Sequence, residues 1–574
     1  MASSPTIAPS NEPFEPEQKL SLLHGPADPP LVDLSLGELL ELQTYQHGTK
    51  ECITIPWTGT RWTYNELNQQ SLLLAQALLN KGIGVGDRVG IMAGNCEQYA
   101  AVFFAVTRIG AILVILNNTY TPTEAMYAIN FSDCKILFTT KRIGRTDNVR
   151  LLAQLKSEVS GPQVVILRGD AGSYETYDDL IRSANRQGAD ELRRATSKVV
   201  SHQVCNLQFT SGTTGRPKAA MLTHHSLVNN ARFIGDRMRL TPDDVLCCPP
   251  PLFHCFGLVL GLLSVITHGA RIVYPAEVFD VPSTLSAILD ENCTALHGVP
   301  AMFDSLFQAA PDDFRSSRIR TGIVAGAPVP RYLMELMVDR LGMSEFTSSY
   351  GLTEASPTCF NAFTDDALGK RLTTVGTLMP HAQAKIVDRE GNLVPVGERG
   401  ELCIAGYQLQ AGYWNNSEKT NEVMVRDSAG TLWLHTGDEA VFDDEGYCTI
   451  TGRFKDIIIR GGENIYPLEI EERLVTHPSI SRAVVVGLKD NHYGEVVGAF
   501  LEKAEGSTRP DDREVREWVR QQLGGHKSPA HLFWLGEDGV PADVPLTGSG
   551  KVRKFEMAQV GDEILKKRTV SAKL

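Results

Sequence analysis

Apolar positions along the chain fall into two kinds of run. From residue 63 to residue 82 they return at helical spacing. Leu67, Leu74 and Leu78 share one face, Thr63-Tyr64-Asn65-Glu66 supplies a capping box at the start, and Gly82 supplies a stop. The second kind is short and nearly continuous. Runs at 88–92, 112–116, 135–140, 164–167, 204–209, 271–274 and 322–325 predict buried strands, with helical stretches such as 97–109 between several of them. That alternation predicts an α/β protein with largely parallel sheets. The longest apolar run, 100–116, is broken by Arg108 and Gly110 and is short for a bilayer span, and 257–266 is shorter still. Both therefore predict buried passages, and no membrane span is expected.

Beyond residue 384 the pattern changes to hairpins, with turns at 388–392 and 443–446. After Arg453 comes a smaller α+β unit, with a helix near 468–475, a strand at 483–488 and a helix near 513–523. The first thirty or so residues are rich in Pro, Ser and Glu and predict an extended leader, with order beginning near Leu31. The basic tail Lys566, Lys567 and Arg568 predicts a solvated end. A chain of 574 residues exceeds what one core usually serves, so at least two domains are expected.

Composition changes the picture in two ways. The net charge of -13 leaves no basic excess for a phosphate backbone, which argues against nucleic acid as a main partner. The 11 cysteines contain no C-x-x-C pair and predict reduced, mostly buried thiols, not a disulfide or zinc framework. Residues 1–16 lack the basic patch and apolar core of a secretory signal.

The candidate chemistry centres on Thr210-Ser211-Gly212-Thr213-Thr214-Gly215-Arg216-Pro217-Lys218, which leaves the strand predicted at 204–209. Its glycines allow a tight fold with N–H groups turned inward, its hydroxyls add donors, and Lys218 adds a charge, so it reads as a phosphate cradle. The glycine spacing is too short for a Walker A loop, and no Ser or Thr follows the lysine. Tyr350-Gly351-Leu352-Thr353-Glu354 combines an aromatic face, a tight glycine turn, a hydroxyl and a carboxylate suited to Mg2+ held between phosphates. The carboxylate of Thr436-Gly437-Asp438 matches a vicinal diol such as ribose hydroxyls, and Arg453 suits the same sugar or a phosphate. Lys551 closes a second glycine-rich loop, 545–551. Taken singly, each has a plainer reading: a flexible loop, a solvated carboxylate, a turn aspartate, a surface lysine.

Taken together and in this order, these motifs resemble the adenylate-forming superfamily, which contains acyl-CoA synthetases, firefly luciferase and the adenylation domains of peptide synthetases. The likeness runs from about Leu31 to the end and is nearest to medium-chain acyl-CoA synthetases. It implies an α/β fold: a large N-terminal domain (31–454, after a leader 1–30) of stacked α/β sheets with a barrel-like part, and a small mobile α+β lid (455–574) hinged at Lys455.

The resemblance also implies a reaction in two halves. A carboxylate attacks the α-phosphorus of ATP to give an acyl-adenylate and pyrophosphate, and the thiol of CoA then displaces AMP. Glu354 with Mg2+, Thr353, the 210–218 loop and Lys551 would neutralise charge in the first half. The lid would then swing, withdraw Lys551 and present Gly461 and Gly462 to the pantetheine arm. His254, within Pro251-Leu252-Phe253-His254-Cys255-Phe256-Gly257, would border the acyl pocket, opposed by residues 297–300 and by Gly326, Ala327 and Pro328, where adenine and acyl group meet. The nameable lining is mostly apolar, so a fatty or aryl acid is favoured over an amino acid.

A stand-alone acyl-CoA ligase is the expected function. The alternatives are an enzyme that loads a carrier-protein thiol in secondary metabolism and a non-catalytic nucleotide or acyl binder, against which Glu354, Asp438, Arg453 and Lys551 all speak. The terminus Ala572-Lys573-Leu574 resembles the Ser-Lys-Leu peroxisomal address, so a peroxisomal import receptor is an expected partner; the cytoplasm is the alternative location.

Overall fold

The computed structural model describes residues 19–158, 161–184, 188–210, 217–311, 314–316, 318–325, 329, 331–490, 492–546 and 552–571. It is mixed α/β, with a large N-terminal and a small C-terminal domain. One sheet runs, edge to edge, Glu175–Thr176, Gln163–Ile166, Cys134–Thr139, Arg88–Met92, Ile112–Ile115, Val204–Thr210, Lys218–Thr223. Its strands are parallel except for the last pair. A second runs Thr377–Leu378, Thr358–Asn361, Glu345–Gly351, Thr321–Val324, Ala295–Leu296, Val245–Cys247, Arg271–Val273, Glu51–Ile55, Thr60–Thr63, parallel through its centre and antiparallel at its edges.

Helix Glu97–Arg108 accounts for the long apolar run, because it packs against strands of both sheets and all but one of its residues are buried. Arg108, which interrupts that run, is buried at 1% exposure, where it pairs with Glu41 and donates to Asn68 at 2.6 Å. A buried guanidinium is costly unless paired, and here both terminal nitrogens have partners, with Ser71 Oγ also accepting from Nη2 at 3.3 Å. Helix Tyr64–Asn80 begins at the expected capping box, with Thr63 accepting from Glu66 N and the Glu66 carboxylate returning to Thr63 N. The apolar segment 257–266 falls in a π-helix, Phe256–Leu263, followed by helix Ser264–Thr267.

The hairpin region forms a third, antiparallel sheet: Leu22–His24, Ala382–Val387, Gly400–Gly406, Leu432–Phe442, Met424–Arg426, with Cys448–Arg453 also paired to Leu432–Phe442. Order therefore begins before Leu31. Leu22–His24 pairs with residues 383–385 as an edge strand, so part of the expected leader belongs to this sheet.

In the C-terminal domain, strand Ile480–Asp490 sends alternate side chains to two apolar layers. Val485 meets helices Pro467–Val475 and Asp512–Arg520, whereas Val484 and Val486 meet helix Lys554–Ser571. The basic residues Lys566, Lys567 and Arg568 are exposed as expected, but on that helix and not in an irregular tail.

Candidate active site

Thr436-Gly437-Asp438, expected as a turn, is a bulge inside the long strand Leu432–Phe442. Gly437 has φ 70, which an L side chain tolerates poorly, and its N–H donates to Glu401 Oε1 at 3.1 Å. Thr436 Oγ accepts from Asp438 N at 3.1 Å and donates to Leu402 O at 2.8 Å. The bulge re-aims Asp438, which is 5% exposed. Arg453, its register partner on the neighbouring strand, donates from Nε to Asp438 Oδ1 at 2.9 Å, and Tyr350 OH donates to Oδ2 at 2.6 Å. Burial first, then the Asp438 charge, raises the Tyr350 phenol far above its usual range, so it remains a donor.

An ionised carboxylate offers about four acceptor sites, and these two bonds use one on each oxygen. Among the described residues one site per oxygen is left, which suits a pair of adjacent hydroxyls.

Tyr350 is the penultimate residue of strand Glu345–Gly351, and a 3-10 turn, Thr353–Ala355, follows. Gly351 is required by contact: a Cβ there would lie 2.2 Å from Pro357 O. The turn presents Glu354, whose Oε1 accepts from Tyr413 OH at 2.7 Å. The face of the same Tyr413 ring carries Lys218 Nζ, 4.5 Å from the centroid. Lys218 opens strand Lys218–Thr223 opposite Thr210, so the two ends of the predicted phosphate loop are joined across an antiparallel pair. Burial lowers the Lys218 ammonium below its usual range; the Glu354 carboxylate opposes the shift and the Lys455 ammonium adds to it. Lys218 therefore feels the fields of both Glu354 and Lys455. Lys455 reaches this region from the 3-10 turn Phe454–Asp456, immediately after Arg453.

Glu354 Oε2 accepts no hydrogen bond among the described residues. A hard carboxylate oxygen without a described partner, near the Lys218 ammonium, fits a role in holding Mg2+.

The acyl-side segments also meet. Cys255 donates to Gln208 Oε1 at 2.8 Å, and Thr353 and Glu354 both influence its thiol, which burial raises most of all. His254 is half-buried, and its Nδ1 accepts from Phe256 N at 3.1 Å, so the neutral ring carries its proton on Nε2. His297 is a strut. Its Nε2 donates to Leu260 O at 3.0 Å, its Nδ1 accepts from Ile323 N at 3.0 Å, and burial lowers it to about 4. It thereby ties the π-helix to the strand Thr321–Val324, beyond which Gly326, Ala327 and Pro328 follow.

Thr210, Lys218, Tyr350, Gly351, Thr353, Glu354, Asp438, Arg453 and Lys455 are thus linked through these contacts, with His254 adjoining them through Cys255. Gly461 and Gly462 are not among them. They form the exposed turn between strands Ile458–Arg460 and Glu463–Ile465, with φ 59 and φ 91. A Cβ at Gly461 would meet only Tyr493 Cδ1 at 3.4 Å, and one at Gly462 nothing within 4 Å. Ser211, Gly212, Thr213, Thr214, Gly215, Gly326, Ala327, Pro328, Lys551, Ala572, Lys573 and Leu574 lie outside the described residues. Tyr413, Gln208 and Glu401 were missed by the sequence reading. Tyr413 sits in an unremarkable Ala-Gly-Tyr-Trp stretch, and only its contacts reveal it.

Residues 40–414 match the family described as AMP-binding enzyme, and residues 469–551 match the AMP-binding enzyme C-terminal domain. The chain belongs to the AMP-binding enzyme family. This AMP-binding enzyme is 77% identical over 559 residues to the acyl-CoA ligase sidI of Beauveria bassiana, covering 97% of each chain. It is 34% identical over 567 residues to the mitochondrial medium-chain acyl-CoA ligase ACSF2 of Danio rerio, covering 96% of this chain and 92% of that one. ATP-bound MatB from Rhodopseudomonas palustris superposes with a TM-score of 0.78 at 26% identity, covering 92% of this chain and 100% of that one. The enzyme is therefore a ligase of the acyl-CoA synthetase type. Among the described residues no helix is long and apolar enough to cross a membrane.

Proposed function

We propose that this enzyme joins an aliphatic or aryl carboxylic acid to CoA through an acyl-adenylate. The observation that carries the reading is the Asp438 carboxylate, buried and fixed by Tyr350 and Arg453 with one acceptor site free on each oxygen, in the same site as Glu354 and Lys218. Asp438 takes the two ribose hydroxyls, and the Tyr350 ring, held by its own hydroxyl, offers a face to the adenine. Lys218 and Lys455 draw the phosphates toward the 210–218 loop. Mg2+ held by Glu354 would offset the repulsion between the phosphates and the incoming carboxylate.

The acid, seated near His254, attacks the α-phosphorus, and the bond to pyrophosphate breaks. Lys551 stabilises that step from the lid. In the second half the CoA thiolate attacks the acyl carbonyl and AMP leaves with the bonding pair. The open surface over Gly461 and Gly462 supports their role as the passage for the pantetheine arm once the lid has turned about Lys455.

The test is pyrophosphate release over a panel of short, medium, long and aromatic acids, with and without CoA. Acid-dependent pyrophosphate followed by CoA-dependent AMP and acyl-CoA is expected. Release without any acyl-CoA would transfer the acceptor role to a carrier-protein thiol, and no release with any acid would leave only the non-catalytic binder. The Ala572-Lys573-Leu574 ending supports peroxisomal import. A fluorescent fusion at the N-terminus should give puncta that become diffuse when these three residues are deleted; a diffuse full-length fusion would place the enzyme in the cytoplasm.

A further inference from the structure

On the third sheet, next to the ribose-binding bulge, three metal-binding side chains converge on one face. Cys403 and His435 are direct register partners on strands Gly400–Gly406 and Leu432–Phe442, and Glu401 lies two residues before Cys403. A bulge between Glu401 and Cys403 brings the carboxylate to the same imidazole. His435 Nδ1 lies 3.4 Å from Cys403 Sγ and 2.9 Å from Glu401 Oε2. All three ligand atoms lie within 4.8 Å of one another.

We infer that Glu401, Cys403 and His435 form a binding site for a borderline-soft divalent cation of the zinc class. Three observations carry the inference. The spacing is the first. Tetrahedral zinc with a Zn–S distance of about 2.3 Å and Zn–N or Zn–O distances of about 2.0–2.1 Å sets its sulfur and nitrogen ligands about 3.6 Å apart and its nitrogen and oxygen ligands about 3.3 Å apart. The separations of 3.4 and 2.9 Å are close to these two values, and the Cys403 Sγ to Glu401 Oε2 separation is within 4.8 Å.

Charge is the second. A thiolate, a carboxylate and a neutral imidazole together carry two negative charges, which a divalent cation cancels. Cys403 has no exposure, so binding of the ion must expel the thiol proton to solvent. Lys385, register partner of Cys403 and held over the Trp433 ring at 4.4 Å, places a positive charge on the same face of the sheet.

Access and orientation are the third. Cys403 itself has no exposure, but the His435 and Glu401 side chains are 29% and 25% exposed, so an ion arriving from solvent meets these two first and the sulfur last. The remaining oxygen of Glu401 accepts from Gly437 N at 3.1 Å, which fixes the carboxylate. Three protein ligands leave a fourth position for water. Asp33, His202 and His225 also gather, but Asp33 and His202 are exposed surface side chains with no sheet to hold them.

The test is titration of the chelator-stripped, full-length enzyme with Co2+. One equivalent should produce a thiolate-to-cobalt charge-transfer band, which one equivalent of Zn2+ then abolishes. Cys403→Ser should lose the band completely, and His435→Ala should weaken cobalt binding at least tenfold. Absence of the band in the unaltered enzyme, or its persistence in Cys403→Ser, would overturn the inference. Because a variant could fail to fold, X-ray absorption of the unaltered enzyme loaded with one equivalent of Zn2+ supplies an independent reading. One sulfur neighbour at about 2.3 Å is expected, and a shell of nitrogen and oxygen alone would contradict it.

Discussion

Replacing Asp438 by alanine separates the two tasks assigned to its carboxylate. In the free enzyme it accepts one bond from Tyr350 and one from Arg453; with ATP bound it would accept two more from the ribose. Loss of two charge-assisted bonds in a site 5% exposed is expected to weaken ATP binding by roughly 2–4 kcal/mol, or about 30- to about 900-fold. The free enzyme should also lose stability, by about 1–3 kcal/mol for a buried donor left without its acceptor. Most of that cost falls on the Tyr350 hydroxyl, because the Arg453 side chain is 48% exposed and can recruit water.

The assay therefore pairs thermal melting without nucleotide against the ATP dependence of pyrophosphate release. Tyr350→Phe serves as the companion: it removes one donor to Asp438 but leaves the carboxylate, so ATP affinity should fall only by about 1 kcal/mol, or about fivefold. A folded Asp438→Ala enzyme with unchanged ATP affinity would refute the ribose role and leave Asp438 as a structural partner of Tyr350 and Arg453.

Three further outcomes are expected. Lys551→Ala should abolish adenylation while largely sparing thioester formation from pre-made acyl-adenylate, and equal loss of both halves would contradict a lysine that serves one lid orientation. Tyr413→Phe removes the donor to Glu354 and should slow adenylation about tenfold, for about 1.4 kcal/mol, with a raised Mg2+ requirement; unchanged Mg2+ dependence would dismiss the Tyr413 to Glu354 bond. Burial lowers His224 to about 3 and His297 to about 4 from the usual 6.5, so the folded state keeps them neutral where the unfolded chain takes up protons. Their contribution is complete above pH 6.5 and is lost as pH falls toward 4, at up to about 1.4 kcal/mol per pH unit for each histidine. Melting temperature should drop across that window and drop less steeply in His297→Gln; equal slopes would show that His297 does not carry the effect.

The sequence was most informative where local chemistry and local structure coincide. The capping box at Thr63 and the strands at 88–92 and 204–209 required only residue type and period, and the structure places them within a residue or two. Asp438 was legible as a candidate because Thr-Gly-Asp is a local pattern, but its bulge was not. The bulge depends on the register between strands Gly400–Gly406 and Leu432–Phe442, whose facing residues lie thirty or more positions apart. The same reason hid Tyr413, whose meaning comes from Glu354 and Lys218, both remote in the chain. His297 looked like pocket lining because an apolar neighbourhood gives no sign of direction; two backbone bonds make it a strut instead. Leu22–His24 was read as leader because Pro-rich flanks mask an edge strand that depends on residues 383–385 for its pairing.

We propose that this ligase activates a carboxylic acid as an adenylate before passing it to a thiol. Quantifying all products of one reaction containing ATP, Mg2+, CoA and a responsive acid tests it most directly. Equimolar AMP, pyrophosphate and acyl-CoA are expected, with acyl-adenylate accumulating when CoA is omitted. ADP and phosphate as the nucleotide products would contradict it, because they would require attack at the γ-phosphorus, with no acyl-adenylate formed.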